Sequence, residues 1–450
     1  CVEVPSLTTK IYGLSDKACQ AQDLKILSDE RLDRHELSAL LNEFVDEYES
    51  WHEEQKYIEK PLNSKASKSI IKKQNIAIER MRTGIEYLTS SDNEDYFRAF
   101  KLAQLAMLKQ FSWNDAAGKG PFDLGSGLCP PETHSEIPAS KYVWRPFQLA
   151  FQLVSIESIA NTNSAYRDVV DLLWFPTGGG KTEAYLALTA FEIIKRRMLM
   201  RENGGGTSVW MRYTLRLLTS QQFERCSTLI SVLECMRKED ISLLGHEPIS
   251  LGLWVGATTT PNRLAAAGEQ TNSARDLYLE VLEEKKPENK FQLNKCPRCG
   301  TRIIPEAKSG NEKHYGVFVS DNEFKLFCPD ESCKLHERIP VSIVDDDLYR
   351  RTPTMLLGTI DKFARTLHDF ENSSVFFGLK NINVNGKKIE VIPPSLIIQD
   401  ELHLIDGPLG TIAGMYEAGF DTVIKQKGGS VKYIAATATI LRADEQIAAL

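Results

Sequence analysis

The sequence predicts an α/β fold: a parallel sheet with helices on both faces, preceded by an α-helical region and interrupted by a small metal-binding insert. Three observations predict it. Short β-rich runs with little polar alternation recur between helical stretches from residue 143 onward, as expected of strands buried on both faces. An apolar strand runs through a Gly-rich turn into Lys-Thr and a helix at 172–185. Two close cysteine pairs stand in a polar stretch between 263 and 350.

With 450 residues, 42% hydrophobic and 26% charged, the chain is long enough for several domains and has the composition of a globular protein. A disordered chain, a collagen-like repeat and a small disulfide scaffold are excluded. Lys and Arg number 54 against 61 acidic residues, a net charge of −7, so any nucleic-acid contact must use a local basic surface. No run reaches the roughly 20 apolar residues of a membrane-spanning helix. The first twenty residues lack the basic start and apolar block of a secretory signal. A reducing, cytoplasmic interior is therefore expected, where clustered cysteines among the nine read as metal ligands. The chain begins at Cys1, so residue 1 need not be the native start.

Residues 1–111 read as a helical N-terminal domain. Leu37, Leu40, Leu41, Phe44, Val45, Tyr48 and Trp51 follow a three-four spacing on one helix face. Ser91 and Glu94 have capping-box spacing before a second apolar stretch from Phe97 to Phe111. Between them Lys60 to Lys73 reads as a solvated linker. Residues 112–142, with Gly118, Gly120, Pro121, Gly125, Gly127, Pro130, Pro131 and Pro138, read as a connector. Residues 143–262 and 351–450 form the α/β unit, with strands at Asp171 to Phe175, Ser208 to Tyr213, Leu251 to Val255, Thr354 to Gly358, Leu396 to Gln399 and Val431 to Ala435. Residues 263–350 are the insert.

The segment Leu172-Leu173-Trp174-Phe175-Pro176-Thr177-Gly178-Gly179-Gly180-Lys181-Thr182 has the order a P-loop requires. Backbone N–H groups of Thr177, Gly178, Gly179 and Gly180 would converge on the phosphates of ATP, helped by the following helix N-terminus. Lys181 would reach the β- and γ-phosphates and the Thr182 hydroxyl would bind Mg²⁺. Downstream, the strand Ser395 to Gln399 runs into Asp400-Glu401-Leu402-His403. Adjacent carboxylates at a strand end suit nucleotide hydrolysis: Asp400 would hold Mg²⁺ through water, and Glu401 would orient and deprotonate the attacking water. His403 reads either as a coupling residue or as an ordinary loop residue.

Cys296 and Cys299, with Cys328 and Cys333, form two pairs at knuckle spacing, and Gly300 suits the tight turn. Four thiolates favour structural Zn²⁺, with an iron–sulfur centre or free thiols as alternatives. A closed four-cysteine shell has no open position for catalysis, so its task would be to fold the insert. His336 is a possible substitute ligand or a surface residue. Lys295, Arg298 and Arg302 would meet phosphate or simply solvate the module.

Taken together the boxes resemble superfamily 2 helicases or translocases of the DExH type, which implies a RecA-like ATPase lobe. Arg145-Pro146-Phe147-Gln148 resembles the glutamine motif, implying that Gln148 reads adenine. Arg216, Leu218 and Gln221 in the segment 213–222 resemble a motif that touches the nucleic-acid backbone, as do Gly256 and Gly358-Thr359-Ile360-Asp361-Lys362. Thr437-Ala438-Thr439 resembles the motif linking hydrolysis to strand movement, with Thr437 and Thr439 as coupling residues. The strings 144–151, 173–185 and 211–223 resemble the helicase-like component of bacterial DISARM anti-phage systems. That resemblance implies DNA as partner, a DrmB-like partner protein and no membrane. Superfamily 2 motors use two RecA-like lobes, and the second is not found before Leu450, so the chain is expected to be a piece of a longer motor that hydrolyses ATP poorly by itself. The expected function is an ATP-dependent nucleic-acid translocase. The alternatives are a nucleotide-gated scaffold that assembles with a partner without moving a strand, and a helicase-like repair or restriction subunit.

Overall fold

The computed structural model describes residues 14–56, 64–176, 178–214, 220–265, 273–364, 366, 368–384, 386–405 and 407–437. Its centre is a seven-stranded sheet of β1 (Asp171–Trp174), β2 (Val209–Tyr213), β3 (Leu251–Trp254), β4 (Val341–Ser342), β5 (Met355–Thr359), β6 (Leu396–Gln399) and β7 (Lys432–Thr437). The order is β1-β7-β6-β2-β5-β3-β4, and every neighbouring pair is parallel. β2, β3, β5 and β6 are buried at every position, which is why their sequences are apolar without alternation. The expected strands are all present. The two-residue edge strand β4 was not anticipated, being too short to leave a pattern.

Helices of ten residues or more are α1 (Arg34–Lys56), α2 (Ser64–Thr89), α3 (Glu94–Ala117), α4 (Pro146–Ala160), α5 (Lys181–Met200), α6 (Ser220–Glu239), α7 (Ala274–Glu283) and α8 (Gly407–Gln426). Along β2, Val209, Met211 and Tyr213 face one apolar cluster, while Trp210 faces a second that includes Trp254, Phe363, Phe377 and Phe420. The first cluster is continuous from Leu37 and Phe100 of the N-terminal helices through Leu186 of α5 to Phe291 and Phe324 of the insert. Buried charge adds a specific tie. Arg80 on α2 forks onto Asp171, the first residue of β1, at 2.6 and 2.9 Å, and Lys432 of β7 lies 3.0 Å from the same carboxylate.

Local expectations differ from the structure at a few points. The Lys/Ser-rich stretch is helical from Ser64, because Ile78, Met81, Ile85 and Leu88 carry α2 across the core at three-four spacing. Residues 60–63 lie outside the described residues. The second stretch runs on to Ala117, and its N-cap is Asn93, not Ser91, whose hydroxyl instead bonds Asp92. The Gly/Pro-rich segment docks on the cysteine insert: Phe122 N–H donates to Gly300 O at 2.8 Å, Leu128 N–H to Cys299 O at 3.0 Å, and Arg302 N–H to Phe122 O at 2.9 Å.

Candidate functional site

Parallel strands put all their carboxyl ends on one edge of the sheet, and loops leaving that edge build the site. β1 ends at Trp174 and the chain turns through 175–180 into α5. Gly178 and Gly180 have φ of +77° and +87°, the left-handed region that costs glycine nothing. A Cβ on Gly180 would stand 2.8 Å from Gln148 Nε2 and would have to displace that amide. Thr177 lies outside the described residues.

Gln148 is buried and both ends of its amide are used. Its Oε1 accepts from Arg145 N–H at 2.8 Å, closing the first turn of α4, and its Nε2 donates to Gly180 O at 2.7 Å. Arg145 Nη1 donates to Gly179 O at 2.7 Å. The start of α4 is thereby clamped to the Gly-rich turn. Lys181 Nζ donates to Phe175 O at 2.8 Å across the same turn.

β6 delivers Asp400 and Glu401 opposite this turn. Asp400 is 2% exposed, and burial pushes its carboxyl above the usual carboxylate range despite Tyr185 and the Glu401 N–H donating to it. Glu401 sits at φ +50°, ψ +46°, a left-handed conformation unusual for a side-chain-bearing residue. Asp400 Oδ1 holds the Glu401 N–H at 2.8 Å in that turn. Burial, then the neighbouring Asp400 charge, raise the Glu401 carboxyl. His403 Nδ1 is 3.4 Å from Glu401 Oε2 and 3.2 Å from Thr437 Oγ1, so it bridges the end of β6 to the end of β7.

One cavity of about 570 Å³ is lined by Arg145, Gln148, Gly178, Gly180, Lys181, Thr182, Asp400 and Glu401. The cavity also takes Glu183 from α5 and Gln221, Gln222 and Arg225 from α6. Thr182 and Asp400 are linked through the Tyr185 hydroxyl, 3.1 Å from Thr182 Oγ1 and 2.6 Å from Asp400 Oδ2. A hydroxyl and a burial-strained carboxylate in this relation fit a hydrated divalent cation, whose charge would offset the desolvation.

Sequence reasoning missed Tyr185, Gln222 and Arg225. Tyr185 had a usable signal, since it stands one helical turn beyond Thr182. Of the residues expected at nucleic acid, Gln221 lines the same cavity as Lys181. Thr359 is buried at the end of β5, in register with Tyr213, and the structure does not bring it into that cavity. Arg216 and Thr439 lie outside the described residues.

The four cysteines of the insert converge as expected. All are buried, and their sulfurs lie within 4.8 Å of one another. Cys296 and Cys333 Sγ are 3.8 Å apart, Cys299 and Cys328 Sγ 3.5 Å. A tetrahedron with Zn–S bonds of about 2.3 Å has edges of about 3.8 Å, whereas a disulfide needs about 2.05 Å. The quartet therefore fits a tetrahedral metal such as zinc. Gly300, at φ +77°, makes the knuckle turn, and the Leu335 N–H points at Cys333 Sγ at 3.5 Å. Burial pushes the Cys296 thiol up, a cost that a bound cation would relieve. His336 stands outside the quartet and bonds Cys328 O through Nδ1 at 2.8 Å. Arg298 pairs with Glu132, Arg302 with Glu306, and Lys295 lies 4.0 Å from Glu224.

The fold and the loop at its carboxyl edge define an α/β protein consistent with a RecA-like lobe, carrying a four-cysteine insert. The chain is DrmA-like: it is 37% identical, over 92% of its length, to the DISARM protein DrmA of Bacillus paralicheniformis. It spans 38% of the length of that relative. No protein-family model matches the chain. Among the described residues no helix is long and apolar enough to cross a membrane.

Proposed function

We propose that this chain carries the ATP-binding lobe of a DExH-type nucleic-acid translocase of superfamily 2, acting on DNA within a DISARM-type defence system. One observation carries the reading: two sequence-distant boxes, Lys181-Thr182 and Asp400-Glu401, face one cavity at the carboxyl edge of the sheet. In this reading the Gly178–Gly180 backbone and Lys181 bind the phosphates of ATP, and Gln148 contacts the adenine. Thr182 and Asp400 hold Mg²⁺, which when bound neutralises phosphate charge. Glu401 accepts the proton of the attacking water, and its raised pKa brings it nearer the working pH of a general base. His403 and Thr437, in contact at 3.2 Å, pass the state of the acidic box to the neighbouring strand. The cysteine quartet holds structural zinc. Similarity to a DISARM protein supports the defence role, and in this reading the chain works with a DrmB-like partner in the bacterial cytoplasm.

The test is ATP hydrolysis by the native full-length protein, with and without DNA, beside Glu401→Gln. Stimulation by DNA that falls about 10²-fold or more in the variant supports the motor. Hydrolysis indifferent to DNA would replace it by the nucleotide-gated scaffold.

A further inference from the structure

Arg225 stands on the second turn of α6, one turn beyond Gln221, and its side chain borders the same cavity as Lys181 and Asp400. Its Nη1 donates to Glu183 Oε1 at 2.6 Å. Glu183 follows Thr182 directly, so this ion pair joins the first turn of α5 to α6 at the mouth of the P-loop.

The pair differs from two forked bridges elsewhere in the protein. Arg237 forks onto Glu234 at 2.7 and 2.8 Å with both side chains 7% exposed. Arg80 forks onto Asp171 in the same way. Arg225 makes a single contact, with its side chain 32% exposed. Glu183 Oε2 is buried and has no hydrogen-bond partner among the described residues. A bridge built for stability closes its second bond, because a buried carboxylate oxygen left without a donor is costly.

The other cations at the cavity are engaged on backbone, Arg145 on Gly179 O and Lys181 on Phe175 O. Arg145 and Arg225 both line the cavity and each keeps further N–H groups beyond one bond, but only the bond of Arg225 is to a carboxylate, whose second oxygen is left without a donor among the described residues. A guanidinium matches a phosphate in fork geometry, which its single bond to Glu183 does not use.

We propose that Arg225 senses the terminal phosphate of a bound nucleoside triphosphate, with Glu183 as the carboxylate that holds it when that phosphate is absent. This inference rests on the ATP-binding reading above. Arg225 then exchanges Glu183 for the γ-phosphate, and α6 is drawn with it. Gln222, on the same helix, already reaches Asp400 Oδ2 at 3.5 Å, so α6 touches both sides of the cavity.

The test is equilibrium binding of ATPγS and of ADP, each with Mg²⁺, to the full-length protein and its variants. Arg225→Ala should weaken ATPγS about tenfold or more and leave ADP nearly unchanged, because a charge-assisted bond to the γ-phosphate is lost. Arg225→Lys should fall between, keeping the charge without the fork. Glu183→Gln should tighten ATPγS severalfold, because it releases Arg225. The opposite signs separate a sensor from a strut. A purely structural bridge predicts that both variants lower the melting temperature and shift both nucleotides alike, and that result overturns the proposal. Lys181→Ala separates the two levels of inference. If wild type binds ATPγS and Lys181→Ala does not, while Arg225→Ala keeps the wild-type ATPγS/ADP ratio, only the sensor falls. If wild type binds neither nucleotide, the ATP-binding reading falls and the sensor with it.

Discussion

The Tyr185 hydroxyl donates to Asp400 Oδ2 at 2.6 Å and lies 3.2 Å from the Tyr213 hydroxyl and 3.1 Å from Thr182 Oγ1. It has one proton, and the charged carboxylate at the shortest distance takes it; Tyr213 and Thr182 can then donate to the phenol oxygen. Burial and the Asp400 charge push the Tyr185 phenol well above its usual range, so it stays a donor. One buried phenol thus fixes the P-loop helix α5 to the acidic end of β6.

Tyr185→Phe should therefore cost about 1.5–3 kcal/mol of stability, the worth of a hydrogen bond to a charged group. It should also move the pH dependence of turnover. The Tyr185 bond lowers the Asp400 pKa against the upward push of burial. Removing it raises that pKa further, so Asp400 protonates at a higher pH on acidification. The acid limb of a rate-against-pH profile should move up; an unmoved limb would separate Tyr185 from Asp400 ionisation.

Lys181→Ala should abolish ATP turnover with little loss of stability. The ammonium bonds only the Phe175 carbonyl among the described groups, and its side chain fills a cavity wall rather than the apolar core. Turnover and melting temperature measured on one preparation decide the matter. Wild-type turnover in the variant would remove Lys181 from the chemistry.

Cys328→Ser should lower bound zinc from about one ion per chain and lower the melting temperature together. The Cys299 to Cys328 edge is 3.5 Å, and Phe291, Leu326 and Ile339 of the insert belong to the same apolar cluster as the sheet. Losing the metal should therefore loosen more than the insert. Elemental analysis beside thermal unfolding checks both. Full stability without metal would leave the quartet as four unliganded thiols.

Arg80→Ala should destabilise the protein by about 3 kcal/mol, because it strips the forked partner from buried Asp171 and leaves Lys432 alone to face it. Denaturant unfolding measures this. The paired change Arg80→Ala with Asp171→Asn should recover part of the loss, since the buried carboxylate is gone and Lys432 keeps the Tyr166 and Val169 carbonyls.

Much of the candidate site at the carboxyl edge was legible in the sequence because it is local. Gly178 to Thr182 specify a turn and a helix start within a few residues, and Leu396 to Glu401 specify a buried strand ending in carboxylates. The cysteine pairs are likewise local, each knuckle spanning a handful of residues. The contacts of Arg225 were not legible. Its partner Glu183 is on another helix, and a lone Arg on a polar helix face looks like any solvated cation.

The sequence by itself determined the strands, the Gly-rich turn, the Asp400-Glu401 pair and the two cysteine pairs, since each is fixed by periodicity or spacing along a short stretch of chain. Only the tertiary structure decided that β7 lies between β1 and β6, that Tyr185 bridges Thr182 and Asp400, and that α2 is pinned to β1 through Arg80 and Asp171. It also decided that α6 turns Gln222 and Arg225 toward the cavity. The physical reason is that these relations depend on which faces pack together. Packing is settled by burial of the whole apolar core, and local pattern does not encode it.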